Sequence, residues 1–418
     1  MRNIFDQYTQ PENKLTHSLA SCLYEDKKLL ESFLKKFCSG FFIKTQNINI
    51  EQQTIPGLIQ DGVDESQKKG LPDALIFDDE KCLIIESKVS STLTSDQLRR
   101  HENTIRRRGF EQIRGIGIVV DIVPKVKLDN WIQITWNDVY SWSYKEKNKS
   151  EWAKKLLDYF NVLENNMVED EYLKEGSITE FTGIHFDDEN PYSYREGKRQ
   201  LRLLLKKLKS NKILKEELGI NLNHKGRGGI KKVGNLWDYL TFDTGVKNKS
   251  FTDEPHLTIG VGPDFIEGDL TIPYRIKGRT KKNFYSLSWK SFRKIIENIA
   301  NNFHNEFGIS NSFKPQIIIA QRRYPSQSSP AIHDARLDFD IRTAFKDLSS
   351  KLKPTQKKQE EWLKLVYDIN NNKKSNIQFQ VGARFYFNKN SLVNNKDADK
   401  VLCKSFLACK PLIDYLFK

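Results

Sequence analysis

The chain has 418 residues, with 68 Lys and Arg against 54 Asp and Glu, giving a net charge of +14. That length exceeds one ordinary core and implies two or three domains. It holds no run of about eighteen apolar residues that would span a bilayer, and Asp6 and Glu12 interrupt any signal-peptide pattern, so a cytoplasmic protein without membrane contact is expected. The five cysteines (Cys22, Cys38, Cys82, Cys403, Cys409) form no Cys-x-x-Cys pair and read as reduced, packed thiols. The abundance of Asn, Lys and Ile points to an AT-rich bacterial genome.

In chain order, the first informative element is the apolar run Leu71 to Phe77, which carries Pro72 and Asp73. The chain turns at Asp78-Asp79-Glu80-Lys81 and returns as Cys82-Leu83-Ile84-Ile85, ending in Glu86-Ser87-Lys88. Such a run reads as a strand buried on both faces, where a terminal charge is costly unless it is paired or holds a metal. Alternation places Glu86 and Lys88 on one face and turns Ser87 away. Antiparallel pairing across the turn sets Asp73 beside Glu86. Two converging carboxylates make a hard oxygen site for Mg²⁺ or Mn²⁺, which keep waters and accept a phosphate ligand. A neighbouring ammonium at Lys88 completes a centre able to cleave a phosphodiester. The competing reading is an ion-pair cluster on an edge strand, and the apolar density around these residues argues against it.

Pro72-Asp73 with Glu86-Ser87-Lys88 resembles the motif that names the PD-(D/E)XK nuclease superfamily. The resemblance covers the N-terminal region, residues 1–165, and implies a restriction-endonuclease-like α/β core: helix, three strands, helix, strand, strand, helix. Pro11-Glu12-Asn13-Lys14-Leu15-Thr16 looks like the family's leading helix, with Glu12 as an added acid. The expected catalytic residues are Asp73, Glu86, Lys88, Gln97 and Glu12, and the expected metal contacts are Asp73, Glu86, Glu12 and Ser87. The implied cofactor is Mg²⁺, with Mn²⁺ able to substitute. Gln97-Leu98-Arg99-Arg100-His101 is similar to the Gln-hydrophobic-x-x-Tyr motif of the RecB-type branch, with His101 where the tyrosine stands. Gly115 to Val120 and Gln133 to Trp136 read as the later strands, followed by a helix opening at Asn137-Asp138. His17 lies five residues beyond Glu12, on another part of the helix surface, and is not expected to share its metal.

Charge divides the remainder. Residues 1–150 carry +1, residues 151–190 carry −8, and residues 191–418 carry +21. Residues 166–190 therefore read as an acidic connector, a solvated helix end and loop, ahead of a separate basic α+β domain at 191–418 that attracts polyanions. Arg195 to Lys215 has leucines at helical spacing among basic residues, which suits a packed helix or one that tracks phosphates. Asn223 to Lys232 is a glycine-rich basic loop without a Walker ending, and Lys225, Arg227, Lys231 and Lys232 are candidate phosphate contacts. Strands are expected at 236–242, 256–261, 270–276, 316–321, 336–341 and 379–387, with helices at 289–307 and around Trp362. Tyr274 to Tyr285 interleaves aromatics with positive charge. This suits either a hairpin with a packed inner face or base stacking, with Arg275 and Arg279 as nucleic-acid contacts. The remaining histidines are too dispersed for a metal or triad arrangement.

These features lead to three expectations. The first is a metal-dependent nuclease acting on DNA, an anti-phage defence or restriction effector gated or targeted by its C-terminal domain, with a phage-derived or nucleotide trigger and room for a homodimer. The second is a non-catalytic nucleic-acid-binding protein on an inactive nuclease fold. The third is a nuclease switched on by a small nucleotide.

Overall fold

The computed structural model describes residues 5, 8, 10–42, 47–52, 72–120, 126, 128–170, 172–173, 176–184, 186, 191–221, 236–244, 250–323, 325–326, 332–352, 359–371, 376–388 and 391–418. They form two compact units, Met1–Glu180 and Phe181–Lys418. The division falls inside the stretch read as an acidic connector. Leu173 and Ile178 pack into the core of the first unit, and Phe181, Ile184 and Phe186 into that of the second.

The first unit opens with helices α1 (Pro11–Glu25) and α2 (Lys27–Phe37). Pro11 suits the first turn of α1, where its missing N–H costs no hydrogen bond. Leu15, Leu19 and Leu23 recur on one face and are buried. Asp26 ends this helix and caps the next by accepting from the Leu29 amide at 3.0 Å. Strands β1 (Asn49–Gln52), β2 (Ala74–Phe77) and β3 (Lys81–Ser87) form an antiparallel meander. Helix α3 (Ser95–Arg107) then crosses to β4 (Gln112–Val119), and β5 (Trp131–Thr135) completes the sheet. Its order is β1-β2-β3-β4-β5, with β3, β4 and β5 parallel. Thr135 and Asp138 close a capping box that starts α4 (Trp136–Glu146), and α5 (Glu151–Glu169) follows.

The sheet is covered on both faces, which is why β3 reads as a nearly continuous apolar run. Leu83 and Ile85 face a core built with α1, α2, α4 and α5, in which Trp136, Tyr159 and Phe160 are fully buried. Cys82 and Ile84 face α3 through Leu98 and Ile105. Among the described residues the expected element order is present, with α2 and α5 as additions.

The second unit contains α6 (Tyr194–Lys209), α7 (Lys212–Leu218), β6 (Leu236–Thr241), β7 (His256–Val261), β8 (Phe265–Ile272), α8 (Gly278–Tyr285), α9 (Trp289–Phe307), β9 (Phe313–Arg323), β10 (Ile332–Asp340), α10 (Lys346–Leu352), α11 (Glu360–Asn370), β11 (Ile377–Tyr386), α12 (Ala398–Ala408) and α13 (Lys410–Phe417). Its six-stranded sheet, in the order β10-β9-β11-β8-β7-β6, is antiparallel throughout. One face of the sheet joins the helices in a single large core.

Two local expectations are corrected here. The basic leucine-rich segment is two helices, because Ser210 ends the first and the Asn211 side chain caps the second. The aromatic and basic segment 274–285 is a turn followed by helix α8; Gly278, at φ +64°, takes a left-handed conformation where that helix begins. All five cysteines are free and buried, as expected. No described helix is long and apolar enough to cross a membrane.

Among the described glycines of the first sheet, Gly115 has the least room: an added Cβ would lie 2.2 Å from the Trp131 indole. Gly115→Ala should therefore destabilise the protein by about 1–3 kcal/mol through overpacking, seen as a lower urea midpoint with an unchanged slope.

Candidate active site

The chemistry-bearing residues gather where β2 begins and β3 ends. Ala74 pairs with Ile85, so one step outward Asp73 stands beside Glu86. Asp73 Oδ2 accepts from the Ser87 amide at 2.8 Å and from Ser87 Oγ at 3.0 Å. Ser87 Oγ also meets Thr16 Oγ1 at 2.6 Å, which ties α1 to the strand end. Ser87 thus turns away from Glu86 and Lys88, as strand alternation requires.

Glu86 is 2% exposed, and burial of this kind needs partners. Its Oε1 accepts from Lys88 Nζ at 2.7 Å and from Gln97 Nε2 at 2.6 Å. Its Oε2 lies 3.2 Å from Nε2 of His101, which is equally buried. Gln97 and His101 are four residues apart on α3 and so share one helix face. His101, which stands at the tyrosine position of the RecB-type motif and was not among the expected catalytic residues, joins the site. Its spacing from Gln97 within that motif was the available signal, and the replacement of tyrosine by histidine left its role open.

Glu12 reaches the same end of the sheet. Its Oε1 accepts from the amides of Val89 at 2.8 Å and Ser90 at 3.3 Å and from Ser91 Oγ at 3.2 Å, so it anchors the loop that leaves β3. That loop is fixed again at Gly117, which pairs with Glu86 across the parallel ladder. An added Cβ on Gly117 would stand 2.4 Å from Leu93 Cδ2, so the glycine leaves room for Leu93 to seat the loop. Thr94 then caps α3 by accepting from the Gln97 amide. His17 is separate, with Nδ1 2.7 Å from Gln52 Oε1.

Electrostatics divide the two acids. Burial, with the Glu86 charge beside it, pushes the Asp73 carboxyl from 3.8 up to about 6, against the opposing Ser87 hydrogen bonds and Lys88 charge. Burial also raises Glu86, but His101 and Lys88 outweigh it and hold this carboxyl below its ordinary value. For Lys88 the penalty of burial is exceeded by Glu86, with help from Asp73 and Glu12, so its ammonium is held above the usual lysine range.

Among the described residues no group of three or more His, Cys, Asp or Glu side chains is disposed to hold a metal ion. Two carboxylates suffice for Mg²⁺, which keeps several waters and binds substrate phosphate. Asp73 supplies the test of fit. Its carboxyl retains a proton towards pH 6 because it is buried and, second to that, because another acid lies close by; a cation held by both would offset the burial penalty and the repulsion. The pair therefore fits a divalent ion.

The other expected contacts belong to the second unit. Arg275 lies 4.0 Å from Asp253, and Arg279 is exposed on α8. Lys225, Arg227, Lys231 and Lys232 lie outside the described residues.

Residues 2–161 match the family model of the PD-(D/E)XK nuclease superfamily, and the N-terminal unit of this chain belongs to that superfamily. It is a nuclease domain by family, and the match ends before the second unit begins. No curated protein matches the chain.

A carboxyl whose pKa rises on folding binds its proton more tightly in the native state, so metal-free stability falls as pH climbs from about 4 through about 6. Asp73→Asn removes this cost. In EDTA at pH 8 the variant should exceed the parent in stability by about 3 kcal/mol, with the gap closing by pH 4. Mg²⁺ should raise the parent's melting temperature and leave that of the variant unchanged. A gap independent of pH would contradict the assignment.

Proposed function

We propose that this chain is a divalent-metal-dependent endonuclease that hydrolyses phosphodiester bonds of DNA. The observation that carries the reading is the convergence of Asp73, Glu86 and Lys88 at one strand end, with Lys88 Nζ 2.7 Å from Glu86 Oε1. Asp73 and Glu86 would hold the cation, Mg²⁺ or Mn²⁺ in its place, and Glu12 would support the site through the loop it anchors. Such a cation supplies Lewis acidity and positive charge at the scissile phosphate.

The protein groups have separable tasks. Lys88, held charged by its acid neighbours, acts as a hydrogen-bond donor and fixed positive charge rather than as a base. It can orient water or stabilise charge growing on the phosphoryl oxygens. Gln97 holds Glu86 Oε1 and helps to position the centre. Contact with a long polyanion is assigned to residues 191–418, whose charge is +21, with Arg275 and Arg279 among the contacts. The pairing of a nuclease unit with a separate basic unit supports a bacterial defence or restriction effector, gated or targeted by the second unit.

Plasmid DNA, single-stranded DNA and RNA incubated with the protein in Mg²⁺, Mn²⁺ or EDTA test this directly. Cleavage of DNA should require metal, and Lys88→Ala should lower its rate by about 10²–10³-fold, as for loss of one transition-state donor. Metal-independent cleavage, or DNA binding without any cleavage, would overturn the reading.

A further inference from the structure

We propose that His101 is a positioning residue for the metal site, holding the second oxygen of Glu86. The inference rests on the metal-dependent reading above and goes beyond it by assigning a residue outside the Asp73, Glu86 and Lys88 set.

An ionised carboxylate has about four acceptor positions, two on each oxygen. Lys88 and Gln97 both donate to Oε1. Oε2 lies 3.2 Å from His101 Nε2, with both side chains buried. The acceptor position left over therefore belongs to Oε2, the oxygen beside His101. The two atoms stand at ion-pair distance without a formed hydrogen bond, and an imidazole carrying hydrogen on Nε2 would draw Oε2 towards it and restrain the rotation of the carboxyl group. A ligand whose carboxylate is fixed in this way binds metal without first being ordered, and outer partners of this kind are typically worth 10–100-fold in metal affinity.

The construction of α3 supports this assignment. Thr94 caps the helix, Leu98 and Ile105 seat it on the sheet, and Gln97 and His101 stand one turn apart facing one carboxylate. The helix thus offers Glu86 two nitrogens at a spacing set by the α-helical repeat.

The test compares His101→Gln, which keeps a side-chain donor, with His101→Leu, which keeps bulk without one. Mn²⁺ binding is titrated calorimetrically on the full chain, and cleavage of plasmid DNA is measured across a range of Mg²⁺. His101→Leu should weaken Mn²⁺ binding 10–100-fold and raise the Mg²⁺ needed for half-maximal rate to match. Its rate at saturating metal should stay within a few fold of the parent's, and His101→Gln should recover most of the lost affinity. Melting in EDTA is recorded first, and His101→Met replaces the leucine variant if that does not fold. Equal metal affinity in parent, Gln and Leu proteins would overturn the role of His101 and leave the nuclease reading intact. A parent protein that binds no Mn²⁺ would instead remove the reading on which the proposal stands.

Discussion

The first unit is organised around a single costly feature, a carboxylate buried at the end of a parallel strand. An unpaired Glu86 would forfeit several kcal/mol of solvation, so the surrounding structure has to supply donors at fixed positions. Three of its neighbours come from the fifteen residues that follow it: Lys88 from the strand end, and Gln97 and His101 from the next helix. That helix is in place only because the intervening loop is fixed by Glu12, by Leu93 over Gly117 and by the Thr94 cap. The sequence from Ile85 to Ile105 is therefore one device, and Asp73 is added to it by the antiparallel neighbour.

Much of this device was legible because it rests on short-range periodicity. An apolar run ending in Glu-Ser-Lys can alternate in only one way, so the shared face of Glu86 and Lys88 and the opposite direction of Ser87 followed from strand geometry alone. The meander of β2 and β3 followed from the polar turn between two apolar runs. The task of Glu12 was less accessible, since its partners are main-chain amides some 77 residues away, and backbone amides carry no sequence signature. The position of His101 was legible from the motif, but its partner was not: a histidine in place of the tyrosine does not reveal that the strand beneath it supplies a buried acid.

The second unit shows where periodicity fails. The helix Trp289–Phe307 and the strand His256–Val261 have the bounds expected from their patterns, because each has one dominant apolar period. Residues 274–285 mix aromatics and cations without a clear period, and a glycine at positive φ rather than strand alternation decides the outcome. In the leucine-rich segment, spacing continued across Ser210-Asn211, but a capping side chain there costs less than continuing the helix through two poor helix formers.

The distribution of charge connects the units to the proposed chemistry. A site that must attract a divalent cation needs an excess of acids, and Glu12, Asp73 and Glu86 against Lys88 provide it. The same excess repels a phosphodiester. A near-neutral first unit cannot recruit a polyanion by its overall field, whereas residues 191–418, at +21, can. On the proposed function, a held divalent ion would move the local balance towards neutrality, and the site would favour the phosphate that its acids otherwise oppose. On the proposed function, metal and substrate therefore bind with positive coupling, and reciprocity requires each to raise the affinity for the other by the same factor.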